Sequence, residues 1–378
     1  MELCKKKFMC KYHRSGKYIP VIIVLLISIC AIFIVTVNLT YGEEIFIFHD
    51  PKNTILWTSL EGNSIRKELN DVGKFIINRN GYFAMNEDSS GNKMWYKGRI
   101  DSELNITKQL LSSIPHDVTS VAISEDGKRV AWSTSENLQK SELTLEEYNG
   151  NESKILRKIS VDGTIQAFSF SPNGDLLAYY WGPTEAITQD GFTLMLLDFK
   201  NPEKAPIEIA PPSLNPGRMN PNRSTPPLWS PTGEFILFEA EYRKAFFEGA
   251  SLYIVSIDGR ILEPIESGWW SQDGKYLRRI RRIGDDDSNE YIIIETDVLT
   301  RQEMEYPVGK FKIGDVNIIS LSPSGRKIIY FKDNEIFVYD TMEKNTVSAG
   351  VVIPIFKGIS EIFLVHGVSD FFWISPKD

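Results

Sequence analysis

Ser322-Pro323-Ser324-Gly325-Arg326-Lys327-Ile328-Ile329-Tyr330 and Ser171-Pro172-Asn173-Gly174-Asp175-Leu176-Leu177-Ala178-Tyr179 are two copies of one unit, a four-residue turn feeding an apolar run. Four more turns of this kind stand at 78–81 (NRNG), 124–127 (SEDG), 230–233 (SPTG) and 271–274 (SQDG). Ser or Asn at the first position can accept a backbone N–H bond. Pro presets φ at the second, Asn or Asp suits the third, and Gly lets the chain re-enter a strand. These are the preferences of a type I turn between antiparallel strands. The flanks, such as 118–123 and 327–331, are short and rich in β-branched or aromatic residues, as strands are. Repetition at this period points to a β-propeller or a solenoid.

The stretches SPNGDLLAY at 171–179 and SPSGRKIIY at 322–330 resemble the blade signature S-P-D-G-K-x-I-A-Y of the TolB-like, WD-repeat-like propeller family. The copy at 78–83 departs most, lacking both Ser and Pro. The resemblance covers nearly everything after the first forty residues. It implies an all-β propeller fold and is almost silent on function.

Spacing sets the expected number of blades. The turn glycines at 81, 127, 174, 233, 274 and 325 are 46, 47, 59, 41 and 51 residues apart. Residues 42–50 (GEEIFIFHD) read like 325–333 (GRKIIYFKD), and 371–374 (FFWI) run into Ser375-Pro376 as if opening another turn. The stretch 371–374 is therefore expected to be the innermost strand of a blade whose other three strands come from residues 44–69. Such closure removes the sheet edges that would otherwise invite aggregation. At about 47 residues per blade, the 337 residues from 42 to 378 accommodate seven blades. Six is the alternative, and would leave a terminal piece unpaired.

The first forty residues are different in kind. Residues 18–37 are twenty residues without a charge, long enough to cross a bilayer as one helix. Lys5, Lys6, Lys7, Lys11, Arg14 and Lys17 precede them, and Glu43 and Glu44 follow. The positive-inside rule then predicts a single-pass cell-membrane protein with a cytoplasmic N-terminus and its propeller on the outer face. The expected division is a basic tail at 1–17, an uncleaved signal anchor at 18–41 and the propeller at 42–378. A lipoprotein reading of Cys30 is disfavoured by bulky Ile29 before it.

Residues 1–17 carry net +5 and 18–41 none, so 42–378 carry −13 of the overall −8. An outer domain this acidic is a poor nucleic-acid binder, since such binding leans on phosphate neutralisation. The three cysteines, Cys4, Cys10 and Cys30, all precede the propeller, so a large core rather than disulfides must hold it.

In an up-and-down blade, the turns between first and second strands share a face with those between third and fourth. The remaining connections share the opposite, distal face, where the longest insertions are expected. These are 211–227 (PPSLNPGRMNPNRSTPP), 182–191 and 239–249. A rigid scaffold with enlarged loops on one side commonly binds there, which singles out Arg218, Met219, Arg223, Tyr242, Phe246 and Phe247.

A second candidate is the mouth of the central channel. Asp71, Asp117 and Asp315 each stand seven residues before their turn, Asp370 is nearby in the closing blade, and His116 and His366 occupy equivalent connections. Such carboxylates and imidazoles could hold a divalent cation. An Asp at a strand start also commonly forms an Asx turn, and no cofactor is expected. Arg278, Arg279, Arg281 and Arg282 fall on a second strand near the acidic run at 285–287, so mutual neutralisation is expected there, with an anion site as the alternative. Trp269 and Trp270 are read as packing between blades.

Catalytic signatures are sparse. Neither 62–66 (GNSIR) nor 249–253 (GASLY) completes a nucleophile elbow, and no HExxH, P-loop or dinucleotide fingerprint is present. The expectation is a non-catalytic binding or scaffolding module for an extracytoplasmic protein, peptide or cell-wall polysaccharide. The alternative is a metal-dependent lyase or hydrolase using the Asp/His mouth.

Overall fold

The computed structural model describes residues 45–49, 53–60, 63–70, 72–89, 92–136, 139–183, 192–201, 203–210, 226–244, 247–260, 268–283, 290–310, 317–332, 335–342, 344–352 and 371–374. No helix among them is long and apolar enough to cross a membrane, and the uncharged stretch 18–37 lies outside them.

The described residues form antiparallel sheets that follow the chain. Sheet 1 contains β1 (Ile45–His49), β2 (Asn53–Leu60) and β3 (Asn63–Asn70). Sheet 2 is β4 (Val72–Ile77), β5 (Tyr82–Ser89), β6 (Asn92–Ile100) and β7 (Ile106–Leu110). Sheet 3 is β8 (Val118–Ile123), β9 (Arg129–Glu136), β10 (Lys140–Asn149) and β11 (Glu152–Asp162). Sheet 4 is β12 (Thr164–Phe170), β13 (Leu176–Gly182), β14 (Thr193–Asp198) and β15 (Ile207–Ala210). Sheet 5 is β16 (Leu228–Trp229), β17 (Phe235–Lys244) and β18 (Phe247–Ser256). Sheet 6 is β19 (Trp269–Trp270), β20 (Tyr276–Ile283), β21 (Glu290–Asp297) and β22 (Glu303–Lys310). Sheet 7 is β23 (Asn317–Leu321), β24 (Lys327–Lys332), β25 (Glu335–Asp340) and β26 (Asn345–Val352).

The last strand, β27 (Phe371–Ile374), returns to sheet 1 and gives it the order β27-β1-β2-β3. Its register sets Ile45 opposite Ile374, Phe46 opposite Trp373, Ile47 opposite Phe372 and Phe48 opposite Phe371. This is the pairing of chain beginning and chain end expected from the sequence.

First strands of neighbouring sheets lie side by side: β4 with β8, β8 with β12 and β12 with β16. The core is accordingly a series of layers between sheets. Trp95, Val130, Trp132 and Tyr148 fill the layer between sheets 2 and 3. Leu143, Phe168, Leu177 and Tyr179 fill the next. Tyr180, Phe192, Trp229 and Phe238 fill the layer between sheets 4 and 5. Trp269 and Trp270 serve different layers, Trp269 packing toward sheet 7 and Trp270 toward sheet 5. Both tryptophans therefore pack between sheets, as their sequence context suggested.

The six turns adopt one geometry. In each, the glycine N–H donates to the carbonyl of the first residue at 2.8–3.1 Å. Glycine φ lies between +69° and +83°, the left-handed region. A type I turn followed by a residue in that region is a standard hairpin loop. The serine Oγ of five copies accepts the N–H five residues on, at 2.9–3.1 Å. Those serines are at most 1% exposed.

Consecutive turns also touch. Asn78 Nδ2 donates to the Ser124 carbonyl at 2.7 Å, and Arg129 Nη1 to the Gly174 carbonyl at 2.6 Å. Gly233 lies against Pro172 and Gly274 against Pro231. The Gln272 N–H donates to the Pro323 carbonyl at 3.1 Å. The result is a continuous belt of turns along one face.

The turns that follow the third strands join that face. The N–H groups of Ile100, Tyr148, Phe199, Ile257, Val298 and Thr341 donate to carbonyls at or just after the turn glycines, those of Gly81, Lys128, Asp175, Glu234, Lys275 and Arg326. Ser256-Ile257-Asp258-Gly259 repeats the belt's turn chemistry at such a connection: Gly259 N–H donates to the Ser256 carbonyl at 2.9 Å, and φ is +85°.

The glycines differ in what a side chain would meet. At Gly127 a Cβ would fall 2.3 Å from the Tyr82 ring, whereas at Gly174 nothing is nearer than 3.4 Å. Gly174→Ala is expected to cost about 1–2 kcal/mol from left-handed strain alone. Gly127→Ala should cost clearly more, because the ring must also move. Urea denaturation of the two variants checks the ranking, and equal losses would contradict it.

Candidate binding face

With the turn belt occupying one face, the opposite face carries the remaining connections, and these are unequal. Second and third strands are joined through residues 90–91 in sheet 2 and 333–334 in sheet 7, but through 183–192 in sheet 4. Fourth-to-first connections include the single residue Gly163 and the long stretch 211–227 between sheets 4 and 5. The longest are 211–227 between sheets 4 and 5 and 353–370 between sheets 7 and 1.

On sheets 4 and 5 the flanking residues are firmly held. Ala210 and Ile209 are buried before the 211–227 segment. After it, Pro227 accepts a hydrogen bond at 2.5 Å from Ser169 Oγ, and the Trp229 indole donates to the Ser169 carbonyl at 3.1 Å. The segment between β13 and β14 returns at Phe192, 3% exposed and packed in the layer between sheets 4 and 5. A Cβ on Gly182 would sit 2.9 Å from the Phe192 ring, so glycine permits that close return. Arg218, Met219, Arg223 and Phe246 lie outside the described residues.

Tyr242 and Phe247 are not in a loop. β17 and β18 run in unbroken register from Phe235 opposite Ser256 to Lys244 opposite Phe247, with Tyr242 opposite Gly249. Residues 239–244 and 247–249, expected as an insertion, therefore belong to two paired strands. The physical reason is visible in the sequence: Phe238, Ala240 and Tyr242 alternate with Glu239, Glu241 and Arg243, the period of a strand. At ten residues, β17 is longer than any other second strand, the others having five to eight. Surplus strand at this end carries the ribbon out on the face opposite the belt.

Of the expected channel mouth, only His116 and Asp117 are described. Both are exposed, and Asp117 immediately precedes β8, a first strand, as its spacing implied. Asp71, Asp315, Asp370 and His366 lie outside the described residues. Among the described residues, no group of three or more His, Cys, Asp or Glu side chains is placed to hold a metal ion.

Groups with displaced ionisation serve the frame. Desolvation lowers the Lys97 pKa, opposed by the charges of Glu146 and Asp126. Its ammonium lies 4.0 Å from the centroid of the Tyr148 ring. Ser113 Oγ donates to Glu146 at 2.7 Å and lies 3.1 Å from the Tyr148 hydroxyl. Burial raises the Tyr148 pKa, so that phenol stays protonated as a structural link between sheets 2 and 3. Burial also raises the Glu125 pKa, countered by the Arg79 guanidinium at 3.3 Å.

The arginine-rich β20 is neutralised within its own sheet. Arg278 pairs with Glu295 on β21 at 2.5 Å, Arg279 with Glu303 at 2.9 Å and Arg281 with Glu305 at 2.6 Å, both on β22. The partners are cross-strand glutamates; the acidic run 285–287 lies outside the described residues. Arg278 also donates to the Pro323 carbonyl at 2.6 Å, tying sheet 6 to the turn of sheet 7.

Successive antiparallel meanders with adjacent first strands are the arrangement of a β-propeller. No protein-family model matches the chain, and no curated protein matches it. Among solved structures it is similar to TolB from Acinetobacter baumannii, at 15% identity and TM-score 0.43, over 71% of this chain and 64% of that one. It is similar to the β-propeller domain of the Trilobed protease from Pyrococcus furiosus, at 14% identity and TM-score 0.44, over 73% and 84% of the two chains. A protein from Bacteroides uniformis, provisionally assigned as a 6-phosphogluconolactonase, is similar at 13% identity and TM-score 0.47, over 89% and 100%. The chain thus spans less than two thirds of the length of TolB, and 35% of the tricorn protease, which it also resembles. At these identities the likeness is one of fold alone.

If His116 and Asp117 ligate a cation, elemental analysis of the purified protein will show stoichiometric metal that is lost in the His116→Ala, Asp117→Ala double variant. With both side chains exposed, we expect metal below stoichiometry and unchanged by the double substitution.

Proposed function

We propose that the chain is a seven-bladed β-propeller, anchored in the cell membrane by residues 18–37 with the propeller on the outer side, acting as a non-catalytic binding module. The β17–β18 ribbon carries this reading: it projects the longest of the second strands on the face opposite the turn belt. On either side of 211–227 the chain is held, by buried Ala210 before it and hydrogen-bonded Trp229 after it. Insertions mounted on a rigid base are where scaffolds commonly bind. The acidic propeller and the six prolines of 211–227 favour a protein, peptide or cell-wall polymer over a nucleic acid. In this reading seven blades follow from sheet 1 closing the series through β27.

Replacement of 213–225 by a short Gly/Ser linker tests the assignment. Crosslinking on intact cells, followed by mass spectrometry of attached molecules, should lose its specific partner in the variant. The thermal melt should stay nearly unchanged, because the excised stretch lies between the pinned ends. Retention of the same partner by the variant would refute the proposed face.

A further inference from the structure

Two turn tips break the polar pattern of the belt face. The residues that follow Ile100, Tyr148, Phe199, Ile257, Val298 and Thr341 occupy equivalent tip positions, because those six N–H groups make equivalent bonds. The tips are Asp101, Asn149, Lys200 and Asp258 in sheets 2 to 5, but Leu299 and Met342 in sheets 6 and 7. Leu299 and Met342 are each 72% exposed, the most exposed large apolar side chains among the described residues. A lone exposed leucine needs no explanation. Repetition at one register in adjacent sheets does.

The two turns are also built alike. Leu299 N–H donates to Asp297 Oδ1 at 3.0 Å and Met342 N–H to Asp340 Oδ1 at 2.8 Å. Arg301 N–H donates to the Asp297 carbonyl at 3.0 Å and Lys344 N–H to the Asp340 carbonyl at 2.8 Å. Both bases have positive φ, +61° and +54°, where glycine or asparagine would be less strained. Each tip therefore pairs an apolar side chain with a cation two residues on, the combination that suits a lipid headgroup boundary.

Position names the occupant. β1 begins at Ile45, opposite Ile374, on the belt face where every second strand begins. Seven residues, 38–44, separate it from the uncharged stretch 18–37, and they reach at most about 25 Å when fully extended. Sheet 7, which carries Met342, immediately precedes β27 of sheet 1 along the chain. We infer that Leu299 and Met342 are membrane-contact tips that enter the headgroup boundary of the bilayer, with Arg301 and Lys344 beside anionic headgroups. The inference rests on the membrane anchor proposed above. It adds that the belt face lies on the lipid and leaves the ribbon face outward.

The test uses the full chain with Cys4→Ser, Cys10→Ser and Cys30→Ser, reconstituted in vesicles of phosphatidylcholine and phosphatidylglycerol. Nitroxide labels are placed singly through Leu299→Cys, Met342→Cys, Lys200→Cys or Asp258→Cys. Collision with oxygen and with a water-soluble nickel chelate is then read by spin resonance. Labels at 299 and 342 should favour oxygen and be shielded from nickel several-fold relative to 200 and 258. Nickel accessibility at 299 and 342 equal to that at 200 overturns the inference, as does spin–spin broadening at 342 that reports a second copy on this face. Alkaline carbonate extraction separates the two claims. A chain that extracts while its tips are nickel-shielded at neutral pH removes the anchor and keeps the tips. A chain that resists extraction with nickel-accessible tips does the reverse.

Discussion

A buried serine hydroxyl that accepts a backbone N–H five residues downstream is the constraint on which this structure depends. It fixes the turn between first and second strands, and the glycine beside it takes the left-handed conformation that lets the second strand start in register. Because the turns also meet one another, through Asn78 on Ser124, Arg129 on Gly174 and Gln272 on Pro323, each sheet is positioned by its neighbour's turn. Local turn chemistry thereby becomes long-range order. An unmade bond at a serine this buried would leave a polar group unsatisfied, at about 1–3 kcal/mol.

The belt divides the molecule into two faces with different freedoms. Along the belt, residue types are dictated: Ser or Asn first, Gly fourth, Asp capping the neighbouring turn as Asp297 and Asp340 do. On the other face the connections have only to close, so their length varies from the single Gly163 to the seventeen residues of 211–227 and the eighteen of 353–370. Between the faces, sheets are joined by apolar layers and a few fully engaged polar groups, of which Arg278 is the clearest. It would be a half-buried charge on an interior strand of sheet 6 without Glu295 and the Pro323 carbonyl.

Legibility in the sequence followed the same division. The turns could be read because their chemistry is local, and the pairing of residues 45–48 with 371–374 followed from an incomplete first repeat and an unfinished last one. The pairing of β20 arginines with sheet 6 glutamates was legible only as a need for counter-charge; which acids answered it depends on cross-strand register. The stretch 239–249, expected as a connection between second and third strands, belongs to paired strands instead, and the alternation at 238–243 is the local signal of that. Ser256–Gly259 uses belt chemistry at a different place in the blade, outside the repeat that the six turns define. Arg218, Met219 and Arg223 stand in a proline-rich stretch without any period, so nothing in their spacing specifies a contact.

The account stands on β27 completing sheet 1, because that contact joins the last strand in chain order to the first. Adjacent register pairs in an antiparallel ladder alternate between hydrogen-bonded and non-hydrogen-bonded, and side chains are closer in the latter. One of the two pairs Phe46/Trp373 and Ile47/Phe372 is therefore suited to a disulfide. In a background free of the three native cysteines, oxidation of the two double-cysteine variants should give one efficient disulfide within the monomer, found by peptide mapping. Absence of any intramolecular bond in both variants, or bonds formed only between separate molecules, would contradict the account.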